Sequence, residues 1–422
     1  MTSYWNLILQ TSGARILSMG LQFFILLLTA RYLGPEGRGI LVASTGWIYV
    51  LATIFHFSLP QVALNQAVGK NVRHWLAISI GTLGSLYLVV TLVLSLAISS
   101  FVLITGQSPV SNIPPHIFLL ALAGLLPQIW FETGNSQMMA LGKVTRMNLA
   151  QISGNSLNLI LILILLVWSG KGIEHALLAF VLGQWIIAGL LFIFSTRSTE
   201  TYSLDFQYLK TLIKGALVYH INTIGTLVTS YASILFINSY LSAQQTGLYQ
   251  LPLQIINILL VIPNSINSVS YSFLIQSGPD EGWMKHQSLI LKGALLVLIL
   301  MVLLFFFCGE AVLIVGGEQF RGAESILRIL LAAVPGMFLS LAMTSQWVTR
   351  GMFVLSSLVT ISMGALNLTL LFWMVPLFGI QGAANAFVFT SFFSLVTNLI
   401  FIMWIIKRPQ SLANKKTTIV HS

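Results

Sequence analysis

Charge is what this sequence has least of. Of 422 residues, 7% are charged and 56% are hydrophobic. A water-soluble fold needs a surface largely covered by polar and charged groups, so this composition excludes one. There is a single cysteine, Cys308, inside an apolar run. It excludes an intramolecular disulfide and leaves the compartment open. The chain shows no metal-ligand cluster, no phosphate-cradling glycine loop and no nucleophile beside a positioned base, so no metal, cofactor, ATP use or catalytic residue is expected. The first ten residues lack Lys and Arg. No cleavable signal peptide is therefore expected, and the first span is read as its own insertion signal. No linker is long enough to hold a soluble domain.

What is present is a series of apolar runs long enough to cross a bilayer. A β-barrel would show alternating segments of about ten residues instead. The expected fold class is an all-α polytopic membrane protein. Twelve spans are expected, at about 7–31, 39–60, 76–104, 115–140, 147–169, 173–195, 211–240, 247–274, 288–315, 323–348, 353–376 and 380–406. The formal charge of +10 reads as membrane topology, not as a nucleic-acid partner, because Lys and Arg mark cytoplasmic loops. With the N-terminus cytoplasmic, the inner side holds Lys70, Arg73, Lys143, Arg146, Arg197, Lys210, Lys214, Lys285, Lys292, Arg350, Lys407, Arg408, Lys415 and Lys416. The outer side holds only Arg31, Arg38, Lys171 and Arg321. This bias supports both the orientation and the number of spans.

The chain also repeats itself. Tyr32-Leu33-Gly34-Pro35-Glu36-Gly37-Arg38-Gly39-Ile40 is a Gly/Pro turn between two apolar runs. Tyr240-Leu241-Ser242-Ala243-Gln244-Gln245-Thr246-Gly247-Leu248 repeats its frame 208 residues later. Pro127 pairs with Pro335, Ser136-Gln137 and Gly142 with Ser345-Gln346 and Gly351, Leu157-Asn158-Leu159 with Leu366-Asn367-Leu368, and Gly172-Ile173 with Gly379-Ile380. Matches in order at a nearly constant offset point to a tandem duplication. The expected organisation is an N-terminal six-helix bundle (1–208), a C-terminal six-helix bundle (209–406) and a basic cytoplasmic tail (407–422). An even number of spans inserts both halves the same way up, the arrangement of transporters whose halves rock around a central site.

Polar residues inside spans are the candidate site, since hydrocarbon penalises them. Thr11, Arg15, Ser18 and Gln22 share one helical face by their spacing. The offset of 208 puts Tyr219, Thr223, Thr226 and Ser230 at the same height in the second half. The competing reading of Arg15 is a side chain that snorkels to the headgroups. Glu132 is the acid best placed inside a span, either to carry a proton or cation or to pair with a base such as Arg15. Pro127 and Pro335 should kink their helices, as hinges or as static bends. Asn257, Asn264, Asn267 and Tyr271 line one face beside Pro263, either to bind sugar hydroxyls or to hold helices together. Lys210 and Lys214 stand at a cytoplasmic entrance suited to an anionic headgroup. His56 and His220 are read as hydrogen-bonded packing residues ahead of a proton relay.

The stretch Arg31 to Gly39 resembles the turn after the first span of bacterial polysaccharide-transport proteins, the Wzx-type flippases. Gly247-Leu248-Tyr249 and Gly317-Glu318-Gln319-Phe320, with Ala323 and Leu327-Arg328-Ile329-Leu330, resemble that family too. The superfamily also contains MATE drug exporters and the lipid II flippase. The resemblance implies two six-helix bundles around a central cavity, in a bacterial inner membrane. It implies transport of an oligosaccharide linked to undecaprenyl pyrophosphate, such as an O-antigen unit, from the cytoplasmic to the outer leaflet. Membrane lipids, a polysaccharide polymerase and glycosyltransferases are the implied partners. Arg15 best matches a first-span arginine that handles the pyrophosphate. Ser18, Gln22, Lys214, Thr223, Ser230 and Asn264 complete the expected cavity. The lipid II flippase usually carries two further C-terminal spans, and their lack here argues against a peptidoglycan precursor. A MATE-like cation-coupled antiporter is the alternative, and it would make Glu132 central. A polymerase or ligase would need a large outer loop, which is missing.

Overall fold

The computed structural model describes residues 4–67, 71–199 and 201–407, apart from the side chains of residues 4–12, 15, 16 and 218. The side chains of Thr11 and Arg15, the loop residue Lys70 and the predicted tail from Arg408 onward lie outside the described residues. Among those described, every regular element is helical. They run α1 (Tyr4–His56), α2 (Leu59–Ala67), α3 (Val72–Thr105), α4 (Pro115–Leu122), α5 (Leu125–Ala140), α6 (Val144–Ile162, continued as a π-turn over Leu163–Trp168), α7 (Ile173–Thr196) and α8 (Phe206–Tyr240). There follow α9 (Ala243–Leu259), α10 (Val261–Ser277), α11 (Trp283–Phe306), α12 (Cys308–Gly316), a 3-10 turn (Glu318–Ala323), α13 (Glu324–Leu331), α14 (Val334–Thr349) and α15 (Phe353–Lys407).

By length and composition, eight of the described helices can cross a membrane, or ten when each of two bent pairs is taken as one span. Two of these are double. α1 breaks at Gly34 (φ 66°) and α15 at Gly379 (φ 56°), so dividing them brings the apolar rods to twelve. The protein is an all-α polytopic membrane protein. Local chemistry explains the breaks. Gly34 takes a left-handed conformation that a side chain would resist, and Pro35 then restarts the helix where its missing N–H costs nothing. Gly142 (φ 66°) and Gly351 (φ 71°), which match at the 209 offset, end α5 and α14 in one geometry. In both, the N–H of the following residue bonds a carbonyl five back: Lys143 to Met138 at 2.8 Å, Met352 to Trp347 at 3.0 Å.

A sharp bend is present near Pro335, whereas at Pro127 the stretch Pro115–Ala140 runs as one span with no bend above 40°. α4 gives way to α5 at Ala123–Gly124, just before Pro127. The segment Glu318–Leu331 meets Val334–Thr349 at 55°, with Pro335 in the first turn of α14. A second bend, of 42°, separates α9 from α10 just before Pro263. Buried apolar residues gather in two large clusters. One draws on α1 to α5, α7 and the start of α8; the other joins Leu26 and Ala30 to α8 through α15.

Candidate functional site: the seam around α1 and α8

The two repeated turns touch each other. A Cβ on Gly39 would overlap the carbonyl oxygen of Ala243, and one on Gly247 would overlap the carbonyl oxygen of Pro35. Residues 35 and 39 match 243 and 247 at the same 208 offset, so the contact is symmetric. The small-xxx-small spacing lets the backbones meet without side chains between them. Beside this crossing, Arg38 is 8% exposed. Its Nη1 donates to Thr29 Oγ1 at 2.7 Å and its Nε to Gln250 Oε1 at 3.3 Å. Predicted as an outer-loop charge, Arg38 instead clamps α1 to α9, with no carboxylate partner among the described residues. Arg31 Nη2 also donates to the Ile314 carbonyl of α12.

Further along, Gly46 lets Tyr231 and Leu235 of α8 approach, with the nearest side-chain atom 3.3 Å from its Cβ position. Tyr49 and Tyr231 stack at 5.6 Å. Toward the His56 end of α1 the seam becomes polar. Ser58 Oγ donates to Thr223 Oγ1 at 3.1 Å and lies 3.3 Å from His220 Nδ1. Asn65 Nδ2 donates to Tyr219 Oη at 2.9 Å, and Trp75 Nε1 to Tyr208 Oη at 3.0 Å.

The predicted site residues fall into distinct groups. Gln22, Lys214, Ser230 and Asn264 are exposed, as are Thr226, Asn257 and Tyr271. Ser18 is buried and accepts a bond from Asn155 Nδ2 at 2.7 Å, so it holds α1 to α6 and does not face an open cavity. Thr223 is half-buried and engaged by Ser58, so it too is a wall residue. The Asn264 amide donates to the Leu260 carbonyl of its own helix at 2.8 Å. Glu132 is half-buried and makes no ion pair among the described residues. Pro127 is buried and Pro335 exposed.

Two concavities lie away from these residues, apart from Pro127. One, of about 460 Å³, is polar and includes Gln66, Asn71, His74, Asp205 and Gln207 around the starts of α3 and α8. The other, of about 450 Å³, is apolar and lies between α3, α5 and α7, with Trp130, Trp185 and Phe192 in its wall; it includes Pro127. At the start of α3 and just beyond the ends of α5 and α7 stand Arg73, Lys143 and Arg197. Lys143 Nζ donates to Ser198 Oγ at 2.7 Å. Burial, and then the neighbouring charges of Arg146 and Arg73, lower its pKa from the usual lysine value. Among the described residues, no group of three His, Cys, Asp or Glu is placed to hold a metal.

Sequence reasoning did not find the Arg38 clamp or the Ser58–His220 contact. The only available signal was the 208-residue repeat, which singled out Gly39 and Gly247 without showing that they meet.

A family profile described as "Polysaccharide biosynthesis protein" matches residues 5–277, well over half of the chain. The chain belongs to that family. No curated protein sequence matches it. Among solved structures, it is similar to the lipid II flippase MurJ in an inward closed conformation, with TM-score 0.69, 14% identity, and 93% of this chain and 87% of that one covered. It is also similar to an inward-facing multidrug resistance MATE family transporter of the MOP superfamily, with TM-score 0.64, 17% identity and coverage of 93% and 95%. A MOP superfamily transporter from Pyrococcus furiosus matches with TM-score 0.59, 16% identity and 95% of each chain covered. At these identities the likeness is one of fold, so this family member has the MOP transporter fold.

Proposed function

We propose that the protein is a flippase that moves an oligosaccharide linked to undecaprenyl pyrophosphate from the cytoplasmic to the periplasmic leaflet of a bacterial inner membrane. O-antigen or another surface polysaccharide is the class of cargo. One observation carries this reading beyond family membership. Gln22, Thr226, Ser230 and Asn264 are exposed within otherwise apolar helices. Thr226 and Asn264 each spend one proton on a carbonyl of their own helix; their remaining hydrogen-bonding capacity, like that of Gln22 and Ser230, calls for water or a polar cargo.

The proposed arrangement is two six-helix units, 1–208 and 209–406, that rock about the seam. Arg15 and Lys214 supply the cations for pyrophosphate. Gln22, Ser230 and Asn264 offer hydrogen bonds to sugar hydroxyls, while Ser18 and Thr223 hold the wall behind them. A pyrophosphate-sugar headgroup cannot cross hydrocarbon unaided; a sparse basic lining replaces its hydration without trapping it. The isoprenoid tail stays in lipid throughout. Glu132 is the candidate coupling carboxylate, and Pro127 and Pro335 are candidate hinges. No enzymatic step is needed. A polymerase and glycosyltransferases are the expected partners.

The test is the leaflet distribution of lipid-linked oligosaccharide, read by labelling glycan accessible from outside the inner membrane. Loss of the protein should strand the glycan on the cytoplasmic side. Arg15→Ala should do the same at unchanged protein level, and transport by Arg15→Ala would refute the cavity cation. The MATE-like antiporter reading draws on the Glu132 carboxylate, which has no ion-pair partner among the described residues. Unchanged sidedness with new sensitivity to cationic drugs would install it, and Glu132→Gln would then abolish export.

A further inference from the structure

Two buried histidines meet where the second limb of α1 ends. His56 is 3% exposed and His220, from α8, is 8% exposed. The two residues after His56, Phe57 (φ 50°) and Ser58 (φ 51°), are both left-handed, and neither is glycine. Such a pair persists only where its surroundings hold it. Three contacts do so. The Ser58 N–H donates to His56 Nδ1 at 2.9 Å. The Tyr87 hydroxyl donates to the His56 carbonyl at 3.2 Å. The Phe57 ring lies against the His220 imidazole, with centroids 4.4 Å apart.

The hydrogen bonds assign the protons. The Thr223 hydroxyl donates to the Tyr219 carbonyl at 2.9 Å, so its oxygen is left to accept from Ser58 Oγ. Ser58 thereby uses its one hydroxyl proton, and its contact with His220 Nδ1 is made by an N–H on the ring. His220 can take a second proton at Nε2 without breaking this chain. His56 differs. Its Nδ1 is an acceptor from a backbone N–H, so it must be unprotonated there. A proton at that atom sets two N–H groups against each other and removes the bond that holds the left-handed turn. The ionisable groups on the elements packed around this point are His220 and Tyr219 of α8, Tyr87 of α3 and Glu132 of α5.

We propose that His56 is a proton-binding site: proton uptake at Nδ1 releases the Phe57–Ser58 turn and opens the seam between α1–α2 and α8. This replaces the reading of His56 as a packing residue. The closed seam requires the neutral ring, so closure is complete at high pH and is lost as pH falls through the titration of His56. The proposal rests on the flippase reading only in assigning this movement to transport. Its test reads the seam directly and needs no substrate.

A Cβ on Gly215 would stand 4.0 Å from Val62 Cβ, within the range of a disulfide. The full chain in proteoliposomes, with Val62→Cys, Gly215→Cys and Cys308→Ala, would be oxidised at a series of pH values between 5 and 8. Thiol oxidation slows at low pH by itself, so a small dithiol in the same buffer sets the baseline. Below that baseline, crosslinking should fall by about a further tenfold, the effect of a one-unit difference in proton affinity between closed and open seam. His56→Asn should abolish this extra fall, because an asparagine side-chain oxygen accepts the N–H two residues on and tolerates the turn without titrating. His220→Gln, which can still donate to Ser58, should keep it. A native-histidine chain that follows the dithiol baseline overturns the proposal, whatever the variants do. So does an extra fall that survives His56→Asn, or one that His220→Gln removes.

Discussion

Replacing Gly39 with alanine tests the crossing at the centre of the fold. The added methyl would land on the Ala243 carbonyl oxygen, with the Ala243 carbonyl carbon and Gly247 N behind it. These are backbone atoms, so no side chain can swing away and the helices themselves must part. Overpacking of this kind costs about 1–3 kcal/mol, which shifts the equilibrium between closed and parted crossing by roughly 5- to 150-fold. Gly247→Ala should do the same from the other side, against Pro35. The double variant should cost less than the sum, because helices already separated by one methyl accept the second. Gly20→Ala, on the first limb of α1, is the control: its Cβ would meet nothing within 4 Å. It should leave the crossing intact and raise stability by up to about 1 kcal/mol through helix propensity. The assay is a spin–spin distance between labels at residues 32 and 240 in a Cys308→Ala chain. Tyr32 and Tyr240 are 52% and 56% exposed and flank the two turns, so labels there face outward. Gly39→Ala should lengthen or broaden the distance distribution and lower the melting temperature. An unchanged distribution and unchanged melting would refute the close crossing.

Arg38→Ala removes two charge-assisted bonds, one between the limbs of α1 and one to Gln250 of α9, at about 1.5–3 kcal/mol each, and should lower the melting temperature in detergent. Arg38→Lys should fail to rescue it, because one ammonium cannot span both acceptors as the planar fork does. The Arg350 side chain is 3% exposed while its partner Asp280 is 70% exposed. Asp280→Ala should destabilise by about 1 kcal/mol, the upper end for an exposed pair, because the guanidinium loses its counter-charge but keeps its bonds to Gln346 Oε1 and the Pro279 carbonyl; thermal unfolding measures it. Lys143 has a lowered pKa partly because Arg146 and Arg73 stand near it. Arg73→Gln should let it keep its proton to higher pH, which an amine-acylating reagent would report as slower labelling at fixed pH.

Much of the architecture was legible because it is written in local pattern. Each apolar run must bury its own backbone hydrogen bonds to enter a membrane, so hydropathy alone marks the rods, and Lys and Arg mark their cytoplasmic ends. Gly34, Gly142, Gly351 and Gly379 were visible as breaks because only glycine takes a left-handed turn cheaply. Pro335 announced a bend that the chain does show, at 55°, while Pro127 lies in a span that stays continuous. The site was less legible. The polar stripe on the first span looked like one continuous lining, yet Ser18 turns to Asn155 while Gln22 is exposed. Helical spacing says which residues share a face, not what that face meets.

By itself, then, the sequence determined the membrane class, the rods, their turns and the repeat that pairs residue 39 with 247, since these follow from composition and short-range geometry. Only the tertiary structure decided that the paired glycines press against each other's turns, that Arg38 is a buried clamp, and that Ser58 reaches His220 across 162 positions of sequence. Those contacts depend on how separate helices dock. Docking is set by shape and hydrogen-bond partners distant in the chain, and no local pattern encodes them.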